Sequence, residues 1–174
     1  MVLSEAAHNI ASVQVKIMGT AVGNLCVATP ASDIAATLFA LGASLRITGF
    51  KAEKVVPIEN FFLGVNKTLL ELGEIVTEIL VPRPQANTNG AFLKLTRVAA
   101  DVAKVNVAVE LNISDGKCLD SRIALGAVAP TIIRAKKAEA ILKGQRLTPE
   151  VIRTAGESAA SGIKPITDIR STAE

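Results

Sequence analysis

Apolar positions along the chain follow three spacings, and each predicts a different element. Leu3, Ala6, Ala7 and Ile10 recur at helical spacing, so 3–12 is predicted as a helix with Ser4 as its cap. The stretch after it, up to Pro30, is rich in small residues and hydroxyls and keeps no clean period. Pro30 followed by Ser32-Asp33 predicts a helix entrance, and the helix it opens buries Ile34, Leu38 and Leu41 before stopping at Gly42. Alternation then takes over. Residues 44–48 read as a strand ended by Gly49, and 55–58 as a second short strand that Pro57 assigns to a sheet edge. A turn of helix is predicted over 59–63, ended by Gly64, and 74–81 alternates again.

Pro82-Arg83-Pro84, with Asn87-Thr88-Asn89-Gly90 behind it, is the best boundary in the chain and divides it into 1–84 and 85–174. Beyond it, 91–97 is predicted as a strand, and 102–113 as a longer one with Val105, Val107, Val109 and Leu111 on one face. Asp115-Gly116 predicts a hairpin that returns through 118–128. Two helices follow: 134–142, ended by Gly144, and one that Thr148-Pro149-Glu150 opens and that runs to about Ser161. Ser171-Thr172-Ala173-Glu174 is a capping box, so a further helix is expected after it and the chain is expected to be a piece of a longer one. The predicted fold class is α+β: a small α/β lobe, then a three-stranded antiparallel sheet with helices on one face.

Composition narrows the chemistry. Of 174 residues 49% are apolar and 20% charged, which is ordinary for a globular protein with its own core. There is no Trp or Tyr, and the net charge of +3 comes without a dense basic run, so nucleic-acid binding is not expected. Cys26 and Cys118 lie far apart, and His8 is the one histidine, so no metal site is expected. Unpaired cysteines and the lack of a signal peptide or an 18-residue apolar run point to a cytoplasmic protein without a membrane span. A phosphate loop, a Gly-x-Gly-x-x-Gly fingerprint and a nucleophile elbow are all missing, and no catalytic residue is predicted. Electron transfer here would need an organic cofactor.

The candidate chemistry lies in Thr20-Ala21-Val22-Gly23-Asn24-Leu25 and Ala28-Thr29-Pro30-Ala31-Ser32-Asp33. Small residues let an anion approach backbone N–H groups, while Thr20, Asn24, Thr29 and Ser32 offer hydrogen-bond partners to a phosphate- and polyol-bearing ligand. Asp33 could accept from sugar hydroxyls. The alternative is a small-residue loop packed under its neighbours, with Asp33 only capping a helix.

The run Gln14 to Leu25 resembles the "V-R-N-x-G-T-I-G-G-N" segment of the flavin-binding medium subunits of molybdenum hydroxylases, the carbon monoxide dehydrogenase and xanthine dehydrogenase family. Pro30-Ala31-Ser32-Asp33 resembles the "P-A-S-D" that follows there, as do Leu41-Gly42-Ala43, Phe61-Phe62-Leu63-Gly64, Thr68-Leu69, Glu74-Ile75-Val76 and Ile79-Leu80-Val81-Pro82, in order. Phe92 to Arg97, Asp101-Val102-Ala103 and Gly126 to Thr131 are similar to the family's carboxyl-terminal domain.

The resemblance implies flavin adenine dinucleotide (FAD) held between two subdomains. Residues 1–84 would be the second of these, with the first absent, and 85–174 the carboxyl-terminal domain. It carries cofactor contacts onto Thr20, Gly23 and Asn24, a sugar or ribityl contact onto Asp33, and a place near the adenine or ring edge onto Val76, with Lys94 as a further, weaker candidate. It also implies partners: an iron–sulfur subunit that supplies electrons and a molybdenum-cofactor subunit that hydroxylates. Val22 stands where the family usually has the first of two glycines, so either the loop is shifted or the Val22 Cβ hinders approach of a phosphate and lowers affinity. The runner-up function is a module that docks partner subunits without binding flavin.

Overall fold

In a computed structural model, which describes residues 2–10, 12–98, 100–167 and 172, hydroxyl side chains organise the amino-terminal third. Ser12 Oγ accepts from the Val15 N–H at 3.4 Å, Thr20 Oγ1 from the Gly23 N–H at 2.9 Å, and Ser32 Oγ from the Ala35 N–H at 3.0 Å. Each satisfies a donor that a helix start leaves orphaned. They open α2 (Val13–Met18), α3 (Ala21–Cys26) and α4 (Asp33–Ala40). The predicted first helix is shorter than 3–12: α1 spans Val2–His8 and takes Ser4 into its interior, so Ser4 does not cap it. The stretch without a period is thus two short capped helices, because capping rather than an apolar stripe starts them.

Every residue of α4 is buried. Apart from Asp33 and Thr37 its residues are apolar, so it must be covered on all sides, and α4 packs on α1 and also on the four-stranded sheet. The first sheet runs β2 (Glu53–Pro57), β1 (Ser44–Thr48), β5 (Ile75–Leu80), antiparallel throughout, with β2 and its Pro57 at the edge. The helix turn predicted over 59–63 is replaced by a 3₁₀ turn at Ile58–Asn60 and a small hairpin, β3 (Phe62–Gly64) with β4 (Lys67–Thr68). Asn66, at φ +53°, supplies the left-handed residue of its turn.

The second sheet is antiparallel and has four strands: β6 (Thr88–Leu95), β7 (Val105–Ser114), β8 (Lys117–Gly126) and β9 (Ile133–Arg134). β9 is only two residues long and carries no period, so the sequence pattern predicts three strands where four form. β6 also starts before the predicted 91, since Thr88, Asn89 and Gly90 pair with Asn112, Leu111 and Glu110. The β7–β8 turn is Asp115-Gly116, both residues at positive φ as a tight hairpin demands.

α5 (Lys136–Leu142) and α6 (Pro149–Ser161, capped by Thr148) cover one face of this sheet, and α4 covers the other. β7 therefore serves two cores by alternation. Ala108 joins α4, Leu45, Ile47 and Phe92 in the first core, while Val105, Val107 and Val109 pack with Ile123, Leu125 and Leu142 in the second. The first core is continuous across Pro82-Arg83-Pro84. The predicted capping box at 171–174 lies outside the described residues, apart from Thr172. Among the described residues no helix is long and apolar enough to cross a membrane, and no three His, Cys, Asp or Glu side chains cluster as metal ligands.

Candidate functional site

The four amino-terminal helices enclose an open cleft of about 560 Å³. Ile10, Val15, Met18, Val27 and Ile34 give it apolar walls, and Lys16, Thr20 and Asn24 give it polar groups. Helix capping sets the polar ones. Thr20 is exposed and uses its oxygen to hold the Gly23 N–H, which leaves its hydroxyl proton to donate elsewhere. Gly23 opens onto the cleft, and a Cβ added to it would lie 3.0 Å from Thr20 Oγ1 and press on that cap. Asn24 accepts from Ser32 Oγ through Oδ1, so its amide donors sit on the opposite side of the group. Lys16 donates from Nζ to the His8 carbonyl oxygen at 2.9 Å, which ties α2 back to the end of α1.

Val22 points elsewhere. It is half-buried against the first core and is not among the residues that line the cleft, so its Cβ does not narrow that cleft. The cause is the helical conformation of 21–26, which turns successive side chains to different faces. Val22→Gly is accordingly expected to lower stability by about 1–2 kcal/mol, through helix propensity and lost burial. It brings no gain in ligand affinity, and chemical denaturation beside a ligand titration checks both.

Asp33 lies behind the cleft. It is 5% exposed, and both carboxylate oxygens are taken: Oδ2 accepts from Lys94 Nζ at 2.7 Å and Oδ1 from Asn106 Nδ2 at 2.7 Å. The Lys94 side chain is only 7% exposed, and its Nζ also donates to the Asn9 carbonyl oxygen at 3.1 Å. Val76 is buried in the first core on β5, paired with Ile47, and is not among the residues that line the cleft. The structure therefore brings Thr20, Gly23 and Asn24 to the cleft, joins Asp33 and Lys94 in a buried ion pair, and buries Val76 in the core outside the cleft lining.

Sequence reasoning misses two residues. Lys16 lies inside the motif run, but nothing local marks it as a cleft residue. Asn106 is an amide on the inward-facing row of β7, beside Ala108, where a strand pattern predicts an apolar residue. That break in pattern is the available signal.

The fold is α+β, with an open cleft among its amino-terminal helices. Residues 1–84 match the family described as FAD binding domain in molybdopterin dehydrogenase, and 90–174 match the CO dehydrogenase flavoprotein C-terminal domain. The chain belongs to the FAD-binding medium subunits of the molybdenum hydroxylase family. It is 36% identical over 172 residues to the carbon monoxide dehydrogenase medium chain of Hydrogenophaga pseudoflava, a match that covers 99% of this chain and 60% of that one. It is 29% identical over 174 residues to the xanthine dehydrogenase FAD-binding subunit of Escherichia coli O157:H7, with 99% and 60% covered. A solved structure of carbon monoxide dehydrogenase from H. pseudoflava, in a form lacking the Mo-pyranopterin moiety of its cofactor, superimposes with a TM-score of 0.95 at 39% identity, over 99% of this chain and 60% of that one. The chain thus spans about 60% of the length of these relatives.

Proposed function

We propose that this chain forms one wall of the FAD site in the electron-transfer subunit of a molybdenum hydroxylase. The observation that carries the reading is the cleft over Thr20, Gly23 and Asn24. Its volume of about 560 Å³ lies within the usual range for small-molecule sites, and its walls suit a flat ring while its polar groups suit a diphosphate or a sugar. The residues fit such a group. Thr20 would donate its hydroxyl proton to a phosphate or sugar oxygen, Asn24 its amide protons, and Lys16 would bring positive charge to the cleft mouth. Gly23 keeps the wall free of a side chain. Ile10, Val15 and Ile34 would exclude water from one face of a ring.

The bound flavin supplies the redox chemistry, and this chain binds and orients it. The division into 1–84 as flavin-binding unit and 85–174 as carboxyl-terminal unit is part of the same reading. So are the partners, an iron–sulfur subunit that delivers electrons and a molybdenum-cofactor subunit that hydroxylates; the opposite wall would correspond to the part of the relatives' length that these residues do not span. A cytoplasmic location suits the free cysteines.

A cofactor held from two sides owes its affinity to both, and each tenfold loss in binding corresponds to about 1.4 kcal/mol. The chain alone is therefore expected to bind FAD weakly. Titration followed by FAD fluorescence is expected to show a saturable change with a dissociation constant in the micromolar range or above. A chain that purifies with stoichiometric flavin overturns the one-wall reading. A titration without saturable change favours the second reading, a module that docks partner subunits without flavin. One observation speaks for that alternative: Asp33 and Lys94 are closed on each other rather than open to a ligand.

A further inference from the structure

Behind the cleft, the turn from Pro30 to Asp33 is pinned by the second sheet at successive points. Ala127 on the β8 side donates its N–H to the Pro30 carbonyl oxygen at 2.7 Å. Asn106 on β7 uses one nitrogen twice, donating to the Ala31 carbonyl oxygen at 3.4 Å and to Asp33 Oδ1 at 2.7 Å. The same turn carries Ser32, whose hydroxyl donates to Asn24 in the cleft wall and accepts from α4. A continuous path therefore runs from β7 through the turn to Asn24.

Asn106 is fully buried, and its Oδ1 is left without a hydrogen-bond partner. Leaving a buried carbonyl unpaired is unfavourable, and an apolar side chain at this inward position would avoid it. Gly126, opposite Asn106 in the β7–β8 register, accommodates that oxygen. A Cβ at 126 would lie 2.1 Å from Asn106 Oδ1 and 3.0 Å from the Pro30 carbonyl oxygen. An amide kept at the cost of an orphan acceptor, beside a glycine that makes room for it, is kept for what its nitrogen holds.

We propose that Asn106 is a positioning residue for the cleft: from the second sheet it fixes the 30–33 turn, and through Ser32 it fixes Asn24 and the α3–α4 wall. None of the β7 side chains lines the cleft, so the action is indirect. The link to cofactor affinity rests on the FAD reading above, whereas the link to the order of the wall does not.

The test compares the full chain carrying Asn106→Ala with one carrying Leu125→Ala, a truncation in the second core. Both are held at a temperature where each is folded. Amide hydrogen exchange is expected to rise at least tenfold over residues 21–27 and 34–36 in Asn106→Ala, and to stay near wild type there in Leu125→Ala. FAD binding is expected to weaken at least tenfold in the first variant and to stay unchanged in the second. Asn106→Ser, which keeps one donor, is expected to fall between Asn106→Ala and wild type, and it serves alone if the alanine variant does not fold. Exchange at 21–27 that matches wild type, or that matches Leu125→Ala, overturns the proposal. If wild type binds no FAD, the flavin reading fails, and the exchange pattern still decides the role of Asn106.

Discussion

Lys94→Met is expected to cost the chain about 3–5 kcal/mol of stability, the penalty for stranding one partner of a buried ion pair. The Asp33 and Lys94 side chains are 5% and 7% exposed, with 2.7 Å between the charged atoms. Methionine fills much of the same volume but offers no proton to Asp33 Oδ2. The carboxylate would then keep Asn106 Nδ2 as its one side-chain donor, in a position where water scarcely reaches. Adding Asp33→Leu to Lys94→Met is expected to restore only part of the loss: two apolar side chains can replace a buried pair at little net cost, but Asn106 Nδ2 then loses its acceptor at 2.7 Å. Arg153→Ala sets the scale at the surface. Its partner Glu157 lies 4.0 Å away with both side chains more than 70% exposed, so a change below about 0.5 kcal/mol is expected. Urea denaturation of wild type and the three variants checks the series. A Lys94→Met loss as small as that of Arg153→Ala would show that the pair is open to solvent and leaves Asp33 available to a ligand.

That pair also marks the limit of what is legible in the sequence. Features written in neighbouring residues are readable: the Asp115-Gly116 turn, the Ser32 entrance and Gly42 exit of α4, and the Thr148 cap of α6. Each depends on φ preferences or side-chain hydrogen bonds within four residues. The β1 strand is readable because alternation there reports a single buried row. α2 and α3 are not, since Ser12 and Thr20 start them without any apolar stripe. β9 exists only because its neighbour β8 lends it hydrogen bonds. Least legible is the site's rear. Lys94 and Asn106 lie 61 and 73 residues from Asp33, and nothing local distinguishes an aspartate that meets a sugar from one that meets a lysine. The motif resemblance locates the cleft through Thr20, Gly23 and Asn24 and points to Asp33 and Lys94, but it carries no information about which way those two face.

Filling the cleft separates binding from folding. Ala21 is exposed at the first position of α3 and lines the cleft beside Thr20. Ala21→Trp would place an indole in the space assigned to the cofactor, without disturbing Thr20's hydrogen bond to the Gly23 N–H or the packing of Leu25 and Val22. Stability is expected to move by less than about 0.5 kcal/mol, as at other surface positions. FAD binding is expected to fall about a hundredfold, equivalent to about 2.7 kcal/mol, which takes an already weak interaction below detection. A fluorescence titration beside a thermal melt of the same sample reads both quantities. Unchanged affinity in Ala21→Trp would place the flavin outside this cleft, and Thr20, Gly23 and Asn24 would then lose their roles as cofactor contacts. Lost affinity with an unchanged melt is the outcome that a binding wall, and not a folding defect, produces.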